Sequence, residues 1–189
     1  MRQELDEYLC STYPKLFVDR NAPMSQTCMC WGFSHGDGWY NIINQLCSNI
    51  QHHIDWRERQ VESATKYNKI AEAGKTGNAK LFADLCAEEF GDKNLSADYV
   101  KKRCEEMLIE PLRKVPDECP QVTINQVKEK FGTLRFYYSG GDDEISGMVR
   151  MAESMSGCTC EECGASAETS SADGWVSTRC PVCKEASEK

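Results

Sequence analysis

The sequence predicts an α+β protein, mostly helical, with a β-hairpin and a small C-terminal ribbon. Three observations predict it. Apolar residues recur at helical spacing between Ile43 and Leu108. At Gln121 the texture changes to short alternation rich in β-branched and aromatic residues. Of twelve cysteines, five fall in the last 32 residues, and four of those form two C-x2-C pairs. The expected organisation is a main domain over 1–157, helical through 1–115 with a hairpin and helix over 121–156. The ribbon occupies 158–189.

Taken in order, residues 2–9 read as a short helix with Leu5, Tyr8 and Leu9 on one face. Pro14 and Pro23 interrupt the segment after it. From Tyr40 a helix buries Ile43, Leu46, Cys47, Ile50 and Ile54, then turns polar and breaks at Gly74 and Gly77. Leu81, Phe82, Leu85, Cys86 and Phe90 mark the next helix, ended by Gly91. Ser96 caps another, whose face is Val100, Cys104, Met107 and Leu108. Two strands meet near Phe131-Gly132, with Leu134, Phe136 and Tyr138 on one side and Thr133, Arg135 and Tyr137 on the other. "DDEISGMVRMAESM" is the last helix of the main domain. Its acidic start suits the positive end of the dipole, and Ile145, Met148, Val149 and Ala152 face inward.

The tail "CTCEECGASAETSSADGWVSTRCPVC" carries the clearest chemistry. Cys160 and Cys163 form one C-x2-C, Cys180 and Cys183 the other, with sixteen residues between the pairs. Two cysteines three apart point both sulfurs at one ion, and two such turns close a tetrahedron of thiolates. The implied cofactor is one structural Zn2+, in what is then a zinc ribbon. Four thiolates leave no open position for water, so the site is structural rather than catalytic. Cys158 lies just outside the pattern; it reads as a spare thiol, with substitution for Cys160 as the alternative.

The stretch "TCMCWGFSHGDGWY" (27–40) admits three readings. As a structural loop, Asp37 caps the following helix, Gly36 and Gly38 permit the turn, and Trp31, Phe33 and Trp39 pack beneath it. As a chemical site, Cys28, Cys30, His35 and Asp37 supply metal ligands, or Cys28 and His35 a nucleophile pair. As a pocket, Trp31 and Trp39 flank backbone N–H groups and hold a flat or anionic ligand. Elsewhere, Lys128, Lys130, Arg135 and Tyr137 share a strand face that would bind phosphate or an acidic partner, or simply be solvated. "AGKTGN" is no phosphate loop, because Lys69 stands where the motif needs glycine. Of His52 and His53, one faces solvent and one packs. Asp142, Asp143 and Glu144 read as a charged helix start rather than an ion site.

The formal net charge is −8, and residues 142–189 hold ten acidic against four basic side chains. That disfavours a nucleic-acid-binding ribbon, which needs a positive surface. No apolar run has the length of a membrane span. "MRQELDEYLC" lacks the apolar run of a signal peptide, so a reducing, cytoplasmic location is expected, where clustered cysteines bind metal.

Together, "TCMCWGFSHGDGWY", "QVKEKFGTLRFYYSGG" and the terminal cysteine pattern resemble a family of small phage- and prophage-encoded proteins, usually described as hypothetical. The resemblance covers most of the chain and carries no activity or catalytic residue with it. It implies a virus-encoded protein acting in the bacterial host cytoplasm. The functional expectation is a non-enzymatic binding protein that engages a host protein or a small anionic, nucleotide-like ligand, countering host defence. The alternative is a metal- or cysteine-dependent hydrolase using the Cys28–Tyr40 loop.

Overall fold

The computed structural model describes residues 1–91, 95–172 and 174–187, without the side chains of Phe90 and Ala172. Its elements are α1 (Gln3–Thr12), α2 (Tyr40–Lys75), α3 (Ala79–Phe90), α4 (Ala97–Met107), β1 (Thr123–Lys130), β2 (Thr133–Ser139), α5 (Asp143–Ser156), β3 (Glu168–Ala172), β4 (Trp175–Arg179) and α6 (Pro181–Ser187). Helices with two separate antiparallel hairpins make the fold α+β, as the sequence predicts. No described helix is long and apolar enough to cross a membrane.

The chain falls into two compact units: Met1–Asp55 with Cys119–Lys189, and Trp56–Glu118. This partition is not the expected one at residue 157. The cysteine ribbon belongs to the first unit, and the mid-chain helices form the second.

In the first unit α2 buries Ile43, Leu46, Cys47, Ile50 and Ile54, as its period requires. The β1–β2 hairpin places Val127 opposite Phe136 and Lys128 opposite Arg135. The register shifts between Ile124 and Gln126, a bulge at Asn125. The extra residue restores the inward face, which is why Ile124 and Val127, an odd number apart, are both buried. Phe131 and Gly132 form a two-residue turn with both φ angles positive, 54° and 77°. That conformation suits the strand twist but not a bulky side chain, so phenylalanine marks only weakly the turn that the sequence places here. Helix α5 starts at Asp142, whose carboxylate accepts from Ile145 N at 3.1 Å. It buries Ile145, Val149 and Ala152.

Helix α1 departs from its expected face. Leu9 is buried but Tyr8 is exposed, and Asp6 points inward instead. Arg20 meets it with two bonds, Nη2 to Oδ2 at 2.8 Å and Nε to Oδ1 at 3.2 Å. A bidentate guanidinium makes that buried carboxylate tolerable.

In the second unit the later part of α2 packs with α3 and α4 around Ile70, Phe82, Cys86, Val100, Cys104 and Met107. Leu81 and Leu108, expected on those faces, are exposed; the side chain of Phe90 lies outside the described residues. Helix α2 runs through Gly74, an expected break, to Lys75. Glycine there admits Met107, whose Cβ would stand 2.9 Å from an added methyl. Asn78 and Ser96 cap α3 and α4.

Candidate metal centre

The four terminal cysteines converge, their sulfurs all within 4.8 Å of one another. Cys163 Sγ and Cys180 Sγ are 3.7 Å apart, the separation set by a tetrahedral ion with bonds of about 2.3 Å. The first knuckle is a turn closed by Gly164 N to Cys160 O at 2.9 Å, with Gly164 at a φ of 78°. The second is the first turn of α6, with Pro181 at the helix start, where a missing N–H costs nothing. Lys184 N bonds to Cys180 O at 3.0 Å.

Burial pushes the Cys160 thiol up, but backbone N–H groups of Cys180, Cys163 and Glu162 aim at its sulfur and bring it down to about 6. Bonds shared with the sulfurs of Cys163 and Cys180 push Cys183 up to about 12. A cation among four such sulfurs stabilises every thiolate and removes that conflict. The cluster is therefore compatible with a metal ion. Cys158 stays outside it, exposed, with its thiol on Met155 O at 3.2 Å.

The ribbon has little core of its own beyond Cys160, Ala167 and Cys180. It leans on two places in the first unit. At one, Gly38 N donates to Glu161 O at 2.7 Å, Gly36 N to Glu161 Oε1 at 3.2 Å, and Trp39 Nε1 to Thr159 O at 2.8 Å. A methyl on Gly38 would sit 2.0 Å from Cys160 O, and one on Gly36 would sit 2.5 Å from Glu161 O. Neither glycine has a left-handed backbone. Each is needed because the knuckle's main chain occupies the space of a side chain. At the other place, the buried Thr178 hydroxyl donates to Gly132 O in the β1–β2 turn.

The stretch 27–40 is thus the platform of the cysteine centre rather than a second one. Among the described residues, Cys28, Cys30, His35 and Asp37 do not gather into a metal cluster. Cys28 is exposed, and the Cys30 thiol bonds Thr27 O at 3.2 Å. Asp37 does not cap the helix. Its carboxylate takes Arg2 N at 2.7 Å and also the Arg2 guanidinium, and these contacts hold its pKa down. His35 is buried between Phe33 and Trp39, with Nδ1 on Gly36 O at 2.8 Å. Burial pushes His35 down to about 4, so it is neutral at pH 7, and Nε2 has no partner. His35 and Trp39 are buried, while Cys28 and Trp31 are exposed, so the members of the expected nucleophile pair and of the expected tryptophan pocket stand in different surroundings.

The expected basic face does assemble. Lys128 stands directly opposite Arg135, and Lys130 opposite Thr133. Lys128 Nζ lies 5.3 Å from the Tyr137 ring centre, and Lys130 Nζ lies 5.4 Å from that of Phe131. Among the described residues no carboxylate oxygen comes within 4.0 Å of these three basic groups. Glu129 turns away and accepts from Gly132 N at 2.5 Å. The turn over Met29–Trp31 packs against β1, so the opening stretch and the hairpin are neighbours.

One cluster has no signature in the sequence. His53, Cys119 and Asp142 each offer a ligand atom within 4.8 Å of the others. The acidic start of α5 is visible, but nothing local ties it to His53 or Cys119. Comparison of the chain with protein-family models, with curated proteins and with solved structures finds no match.

Proposed function

We propose that the chain is a non-enzymatic binding protein, phage-encoded, with one structural zinc ion in the four-cysteine centre. Its binding face is the β1–β2 hairpin, and its partner is an anionic host component: a nucleotide-like small molecule or an acidic protein segment. Engaging that partner in the host cytoplasm would blunt a host defence.

One observation carries this reading. Lys128 and Arg135 face each other across the hairpin and, among the described residues, no carboxylate pairs with either, in a protein of net charge −8. Like charges directly opposite destabilise a strand pair, and an anion seated between them reverses that cost. Tyr137 and the exposed Phe131 add ring surface beside the charges, and Trp31 adds more on the neighbouring turn. The thiolate set, closed around zinc, braces the ribbon against the same hairpin turn.

Calorimetric titration with a nucleoside triphosphate and with a glutamate-rich peptide, at low and high salt, tests the face. Wild type is expected to bind one of them, with affinity falling as salt rises. The double variant Lys128→Glu, Arg135→Glu is expected to lose binding more than about tenfold, the scale of one charge-assisted contact. No binding of either probe at low salt would overturn the reading.

A further inference from the structure

We infer that His53, Cys119 and Asp142 form a second metal site, taking a divalent ion of the zinc class on three protein ligands with the fourth position open. The inference stands on its own geometry and goes beyond the binding face.

The three donors come from separate parts of the first unit: α2, the segment before β1, and the N-cap of α5. A His53 ring nitrogen, Cys119 Sγ and an Asp142 oxygen lie within 4.8 Å of one another. Bonds of about 2.0–2.3 Å hold such donors roughly 3–4 Å apart, so small side-chain shifts suffice. The donor set is one imidazole nitrogen, one sulfur and one carboxylate oxygen. Thiolate and imidazole select zinc-like ions over magnesium and calcium, which take oxygen.

The surroundings match those of a ligating histidine. His53 Nε2 is 2.8 Å from Asp142 Oδ2, while Nδ1 is 3.4 Å from Glu144 Oε2. A carboxylate behind the ring holds the proton on Nδ1 and leaves Nε2 as the ligand. The two oxygens of Asp142 are divided. Oδ1 caps α5 through Ile145 N, and Oδ2 faces the histidine. His53 is 6% exposed and the Asp142 side chain 26%, so the ring is buried while the carboxylate can be reached from solvent. The Cys119 thiol also bonds Asp142. An ion would replace the hydrogen bonds that now join the three groups. Three protein ligands leave a place for water or for a donor atom of a bound molecule, which the four-cysteine centre does not.

The test is metal content of the full chain purified without chelator, then cobalt titration read from its visible absorption. Two ions per chain are expected. Asp142→Asn keeps the cap, since asparagine caps as well as aspartate, and should bind one; Cys119→Ser should do the same. Glu144→Gln should weaken the second cobalt site by about 10- to 100-fold and leave the first unchanged. A single ion lost with Asp142→Asn and retained with Cys160→Ser would keep this site and remove the four-cysteine one. One ion per wild-type chain that Asp142→Asn leaves in place, or two ions surviving in both Asp142→Asn and Cys119→Ser, would overturn the inference.

Discussion

The two cysteine-bearing clusters of the first unit are built in opposite ways. In the ribbon, each pair of sulfurs is brought together by its own local turn, and almost nothing else is buried there. Around His53, the donors are far apart in sequence and meet only because α2 and α5 share a core through Ile50, Ile145 and Val149. A cluster made by turns would depend on a bound ion for its fold, whereas a cluster made by a core has its fold before any ion binds.

The largest expected effect breaks the two apart. Chelation, or Cys160→Ser, should unfold the ribbon, because binding a structural ion of this kind contributes about 10 kcal/mol or more. Amide exchange should then reach solvent rates across β3 and β4 while Ile43, Leu46 and Ile50 in α2 stay protected. Loss of protection in α2 as well would mean that the core, too, depends on the ion.

A smaller effect tests the platform without touching a sulfur. Gly38→Ala puts a methyl against the Cys160 carbonyl. Overpacking against rigid main chain should cost about 3 kcal/mol or more, since neither backbone can yield cheaply. Chemical denaturation with the ion bound would measure it. A cost near zero would show that the knuckle can lift off its platform.

Next comes a pH effect confined to the platform. The buried His35 titrates near 4 when folded, against an ordinary 6.5. The unfolded chain therefore takes up this proton first. Its contribution is full above about 6.5 and is lost as pH falls towards about 4, by up to about 3 kcal/mol. Subtracting the urea midpoints of His35→Gln from those of wild type at each pH cancels ion loss common to both. A difference that does not change with pH would refute the burial argument.

The smallest effect has the opposite sign. Lys128→Glu replaces a like-charge pair with an ion pair opposite Arg135. It should raise stability by about 0.2–1 kcal/mol, the scale of one cross-strand pair, while weakening anion binding. A drop in stability would show that Lys128 packs rather than repels.

Legibility in the sequence obeys the same division between local and long-range. The inward face of α2, the paired strands and the C-x2-C spacing could be read because each is periodic over a few residues. The roles of Gly36, Gly38 and Trp39 could not, because their partners Glu161, Cys160 and Thr159 lie on the far side of the chain. Asp37 looks like a cap because aspartate before a helix usually is one; Arg2 outcompetes the backbone for it. Asp6 lies outside the face predicted for α1, and no local spacing ties it to its partner Arg20, fourteen residues away. Cys119 stands as a lone cysteine among prolines, and only the closeness of α2 and α5 gives it neighbours.

The bonds under the ribbon also bear on the order of events during folding. Gly36 N and Glu161 Oε1 are 125 residues apart in sequence, so the contact closes a loop of most of the chain. Such closure is slow and comes after the contacts that shorten the path. The cysteine turns need no such closure, so an ion could bind them before the ribbon reaches its seat on Gly36 and Gly38. Until that seat is taken, Trp39 Nε1 and Gly38 N would lack their partners Thr159 O and Glu161 O.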